Sequence, residues 1–369
     1  MVRRLSLLLL AGGSLTLGCQ KGTEASGPKA APAASPVQPA APVAAGPVTF
    51  APSTSGKSDP ECLGPLDFSV PETVTYAGHS ATLNGYKLTL DVPKTGPVVL
   101  GVLANVNEPS PANLQAIGSY LEFFKQKGAQ AILVDGDSGD SAEAIAGVLR
   151  PIAKSGLPVL VLIGNREPKG GFLDAISSVQ KEFPNVFNLS RAREVDLGSV
   201  ALLSLPGYHD PRYLIAGADG CLYHTDDLKA LGRLASQLKS TVVLASHGPP
   251  HGEGLHAIDR VQSPPGNVGD PNLTDFLATN QIHFGVFANI IEAGGNATSL
   301  HGDRAIGPDE VSPELYLDPG AADTVPWAMN DGTTAHGLAA VLRIQDGKAS
   351  YSLLRLPAKS EAPVAAAKR

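Results

Sequence analysis

Ala131-Ile132-Leu133-Val134-Asp135-Gly136-Asp137-Ser138-Gly139-Asp140 is the stretch on which the fold turns. Four successive apolar residues fit a strand buried on both faces, and the Gly and Asp residues behind them fit a tight polar turn. The flanking chain repeats this alternation. Upstream, Pro97 to Leu103 is another buried-strand run, followed by a segment from Pro111 to Lys127 in which Leu114, Ile117, Leu121 and Phe124 recur at helical spacing. Downstream come a helical stretch from Ala142 to Ala153, a strand from Val159 to Ile163 and a helix from Gly171 to Phe183. Further strands are expected at Val200 to Leu205, Val242 to Ala245 and His283 to Phe287, with a last hairpin from Leu338 to Leu354 turning at Asp346-Gly347. Before all of these, Thr73 to Tyr76 and Tyr86 to Leu90 flank the turn signal Asn84-Gly85. Strands alternating with helices predict a layered α/β body, and in such bodies ligands gather just past the C-terminal ends of the strands.

Those strand ends carry the chemistry-bearing residues. After the strand that opens this reading stands Gly136-Asp137-Ser138-Gly139-Asp140; the next strand ends in Gly164-Asn165-Arg166-Glu167. A later one ends in Ser246-His247-Gly248-Pro249-Pro250, and the one after it runs through Gly285-Val286-Phe287-Ala288. The order resembles that of the calcineurin-like metallophosphoesterases, whose motifs are DxH, GDxxD, GNH followed by an acid, a His before a Pro, and GHxH. The resemblance covers most of residues 97–356. It implies an α-β-β-α sandwich in which Asp137 bridges two metal ions and Asn165 and His247 hold one of them, as a hard carboxylate shared by two cations would require.

The departures from that pattern bear on activity. The DxH position reads Asn105-Val106-Asn107, replacing a carboxylate and an imidazole by neutral amides, and the GNH histidine is Arg166. Val286 and Ala288 stand where GHxH supplies one imidazole to each metal. The resemblance therefore leaves the first metal only Asp137, and the second Asp137, Asn165 and His247. That set implies one divalent ion (Mn, Fe, Zn or Mg) or none, and impaired or absent phosphoester hydrolysis. His251, His256 and His283 are expected to be structural or solvent-facing.

Three other readings stay open. Arg166 and His247 can bind an anion without metal. Gly136-Asp137-Ser138 is similar to the GDS block of SGNH esterases, with Ser138 as nucleophile and Gly164-Asn165 in an oxyanion hole, although no DxxH near the C-terminus supplies a base. Lastly, the fold can serve envelope binding with no catalysis.

The N-terminus speaks to location. Arg3 and Arg4, the apolar run Leu7 to Leu10 and the small residues from Ala11 to Ser14 form a secretory signal over residues 1–18. Gly18-Cys19 resembles the end of the bacterial lipobox, with Thr16 and Leu17 departing from its usual residues, and implies that Cys19 carries lipid. Gln20 in place of aspartate favours the outer over the inner membrane. Removing Arg3 and Arg4 from the 28 basic residues leaves 26 against 35 acidic ones, a balance of −9 that argues against a nucleic-acid partner. Membrane contact is therefore expected through the lipid anchor. Residues 19–60, rich in Ala and Pro, are expected to form a disordered tether. The folded body is expected over 61–356, and a short tail over 357–369. Cys62 and Cys221 remain in a compartment that favours oxidation, and either a disulfide or two buried thiols fits.

Overall fold

The computed structural model describes residues 51–358; the expected signal peptide, Cys19, most of the tether and nearly all of the tail lie outside the described residues. Two sheets pack face to face. The smaller has six strands in the order Lys348–Arg355, Leu338–Gln345, Val98–Leu103, Ala131–Asp135, Val159–Leu162 and Val186–Asn188. From Val98–Leu103 onward its neighbours are parallel. The larger has ten, and its central strands Val200–Leu205, Thr241–Ser246, Phe284–Val286 and Leu315–Asp318 are parallel neighbours.

Side-chain alternation explains why the strand runs are continuously apolar. Leu133 and Leu160 point between the sheets, where they meet Leu202, Val243, Val286 and Leu317. Ile132, Val134 and Val161 point outward to helices α1 (Pro111–Lys127), α2 (Ala142–Ala153) and α3 (Lys169–Glu182), packing with Phe124, Leu149 and Phe172. On the far side Leu203 and Leu244 meet α4 (Thr225–Ala235) and α5 (Pro271–Thr279) through Leu231 and Leu273. The result is an α-β-β-α sandwich, the layering implied by the resemblance.

Two expectations need correction and one is settled. The hairpin at Asn84-Gly85 joins His79–Asn84 to Lys87–Leu90, and the strand Glu72–Tyr76 pairs with the first of these instead of flanking the turn. Residues 51–60 belong to the packed body rather than to a tether. The Ser53 amide donates to Asp270 Oδ1, the Thr225 amide to the Thr54 carbonyl, Ser58 Oγ to Asp227, and Lys169 Nζ to Asp59 at 2.6 Å. A polar strap can satisfy helix N-termini without adding apolar surface, so composition hid it. Cys62 and Cys221 are joined as a disulfide, Cα atoms 5.4 Å apart.

Candidate functional site

The turn after Ala131–Asp135 is left-handed at both Gly136 (φ 82°) and Asp137 (φ 56°). This folds the Asp137 carboxylate back over the strand end. Glycine is required at 136 because a Cβ there would lie 2.4 Å from His247 Nδ1, and at 164 because it would lie 2.6 Å from Asp137 Oδ1. Glu167 ties the two turns together: its buried carboxylate accepts from the Ser138 amide at 2.6 Å and the Gly164 amide at 2.9 Å. Burial, then the charge of Asp137, raises its carboxyl to about 7.

Asp137, Asn165, Arg166 and His247 come together as expected. His247 is fully buried, and Asp137 Oδ1 lies 3.3 Å from its Nε2. Asn165 Oδ1 lies 3.2 Å from the same nitrogen. Asn165 Nδ2 donates to the Tyr213 carbonyl at 2.8 Å, which turns Oδ1 toward His247. The other ring nitrogen, Nδ1, faces the Asp135 carbonyl at 2.8 Å. Nδ1 therefore donates to the Asp135 carbonyl, while Nε2 faces two oxygens, toward which a protonated ring donates and with which a neutral ring shares a cation. Burial works against that charge, but the Asp137 carboxylate overrides it and raises the histidine to about 9. Burial would equally raise Asp137, yet His247 and Arg166 hold its carboxyl below the usual range. The Arg166 amide donates to Asp137 Oδ1 at 3.0 Å, and its Nε stands 4.0 Å from Oδ2.

At the positions that would hold the first metal, neutral amides replace a carboxylate and an imidazole, and Asn105 Oδ1 is buried without a hydrogen-bond partner. Asn105 Nδ2 donates to the Ala288 carbonyl at 2.8 Å, and Asn107 Nδ2 to Asp323 Oδ2 at 3.2 Å. Val286 is packed between the sheets, and Ala288 is fully buried. Among the described residues no three His, Cys, Asp or Glu side chains converge as a metal set would. The donors do not fit a dimetal centre; Asp137 Oδ1 and Asn165 Oδ1, both within 3.3 Å of His247 Nε2, would with it hold one ion at most.

Ser138 Oγ is buried and has no hydrogen-bond partner, so no base addresses it and the esterase reading fails. His256 and His283 are exposed and His251 is bonded to Asp259 Oδ2 at 3.1 Å, in line with structural roles.

Several residues of the site escaped the sequence reading. Asp135 is fully buried with both carboxylate oxygens unpartnered, and burial lifts it to about 7. His209 stacks on Tyr208 with centroids 4.6 Å apart; neither ring nitrogen has a partner, and burial lowers its pKa. Gly207-Tyr208-His209-Asp210 follows the strand Val200–Leu205, so the rule that pointed to the other strand ends would have found it. A cleft of about 440 Å³ opens beside the cluster, lined by Asn165, Tyr208, Tyr213, Ile215, Asn289 and Glu292.

Among solved structures, one superposes with a TM-score of 0.53 at 14% identity, over 71% of this chain and 100% of its own. The likeness is one of fold. Looser similarities include GAP50, the anchor in the inner membrane complex of Plasmodium (TM-score 0.44, 10% identity, 73% of this chain and 87% of its own). Another is a dimetal phosphatase from Danio rerio (0.43, 10%, 70% and 98%). Scores of this size carry no inference about activity. No protein-family description and no curated protein matches the sequence.

Proposed function

We propose that this chain is a lipid-anchored bacterial envelope protein that keeps a calcineurin-like metallophosphoesterase fold without metal-dependent phosphoester hydrolysis. We further propose that it binds a phosphate-type anion at Arg166. The observation that carries the reading is the loss of donors: Asn105 and Asn107 are neutral amides, and Val286 and Ala288 are buried apolar side chains, where the motif order calls for a carboxylate and imidazoles. Arg166 Nε, 4.0 Å from Asp137 Oδ2 and without a hydrogen-bond partner, is the donor left for an anion. The disulfide between Cys62 and Cys221 suits an oxidising compartment, and Gly18-Cys19 supplies the anchor, with the outer membrane favoured by Gln20.

The test uses the full chain in detergent: metal content, and turnover of bis-p-nitrophenyl phosphate with Mn²⁺ added. Sub-stoichiometric metal and no turnover are expected. Two bound ions per chain, with turnover abolished by Asp137→Ala, would overturn the reading. Phosphate titration should release heat that Arg166→Ala removes; no heat in either protein disposes of the anion part. Labelled palmitate should enter the wild-type chain in the bacterial host and not Cys19→Ala.

A further inference from the structure

A second cleft of about 440 Å³ lies away from Asp137 and shares no residue with its cluster. It runs between Leu63 to Leu66, Tyr86 and helix α4, and Arg193 lines it. Arg193 directly precedes the strand Glu194–Asp196 and is 3% exposed. Its Nε donates to the Ser204 carbonyl at 3.1 Å and its Nη1 to the Gly64 carbonyl at 3.4 Å, while Nη2 is buried and has no partner. Asp227 also lines the cleft, but its two oxygens are occupied: Ser58 Oγ donates to one and the His224 amide to the other at 2.7 Å. The Asp227 carboxylate compensates the guanidinium only across space, with no hydrogen bond between them, so Nη2 keeps a donor that an incoming anion can take. A second guanidinium, Arg233, stands in the same wall; Leu63, Leu66 and Leu234 give the cleft an apolar stretch beside the polar Ser58 and Gln237.

We propose that this cleft is a binding site for a small amphipathic carboxylate, its head on Arg193 Nη2 and Arg233 and its hydrocarbon body against Leu63, Leu66 and Leu234. The cleft is of ligand-pocket size and sets two guanidinium groups beside a leucine-lined stretch, the pairing an amphipathic carboxylate requires. Its position depends on the disulfide, because Cys62 pins the chain immediately before Leu63 to Cys221.

The probe is sodium hexanoate, with 1-hexanol as the uncharged control, added to the full chain while thermal unfolding is followed. Hexanoate should raise the melting temperature in proportion to the logarithm of its concentration once the site fills, and hexanol should not. Arg193→Gln should lose the shift. Ala230→Trp, which fills the cleft from half-exposed α4 without touching the guanidinium, should lose it too, and decides the matter if Arg193→Gln fails to fold. No shift with hexanoate, an equal shift with hexanol, or an unchanged shift in Ala230→Trp would each overturn the proposal.

Discussion

Among the described residues, His247 and Arg193 are both buried basic side chains, and their surroundings treat them oppositely. His247 is enclosed by a carboxylate, an amide oxygen and a backbone carbonyl, so each ring nitrogen faces an oxygen. Arg193 meets two carbonyls and leaves Nη2 without a partner. A satisfied ion cluster needs nothing from outside and resists change; an unsatisfied one has capacity for a ligand. In the strand-end cluster that the sequence advertises, the buried histidine is thus fully surrounded and only Arg166 at its edge has a donor to spare, while in the cleft that no motif marks the buried cation itself has one.

The largest expected effect tests the closed cluster. Asp137→Ala leaves the His247 and Arg166 cations facing each other in a buried site, and should cost about 3–5 kcal/mol in urea unfolding. A loss below about 1 kcal/mol would show that the cluster is not held by charge. Next, replacing both Cys62 and Cys221 by Ser should cost about 2–4 kcal/mol, measured the same way, and should weaken any hexanoate response because the Leu63 wall loses its tie. By contrast, Arg193→Met removes a poorly compensated buried charge while freeing two carbonyls. The two effects offset, so stability should change by about 1 kcal/mol or less. A loss as large as that of Asp137→Ala would erase the contrast between the clusters.

The smallest effect concerns His251, a half-buried histidine outside both clusters. Its bond to Asp259 raises its pKa above 6.5; burial opposes this, and the charges of Asp259, Glu253 and Asp270 add to the rise. A raised folded-state value means that the contribution is fully present below 6.5 and fades as pH rises through the folded value. Unfolding midpoints should therefore fall slightly from pH 6 upward, and His251→Gln should flatten that slope.

Much of this was legible from local pattern. The run Ala131 to Val134 and the spacing of Ile117, Leu121 and Phe124 encode burial on both faces and on one face, and α1 begins and ends at the expected residues, Pro111 and Lys127. Helices α4 and α5 went unread although signals were present. Leu228, Leu231 and Leu234 recur at helical spacing, and Asp270-Pro271 is a helix start whose Asp side chain accepts from the Asn272 amide at 3.0 Å. At the site, Asp137, Asn165 and His247 were legible because each closes a strand in a recognisable order. Arg193 was not: Gly64 and Ser204, 129 and 11 residues away in sequence, create its burial together with α4. No local pattern encodes an enclosure assembled from such distances.

The strap formed by residues 51–60 would give the proposed N-terminal attachment a mechanical character. Tension arriving at residue 51 meets Ser53 and Thr54 at the starts of α5 and α4, then Ser58 and Asp59. Those bonds can peel in turn, each yielding at modest load. At Cys62 the load path changes: the covalent link to Cys221 carries it straight to a point 159 residues along, past the four strands of the six-stranded sheet that lie between them in sequence. The body is thus built to give a little at its leading edge and then to hold.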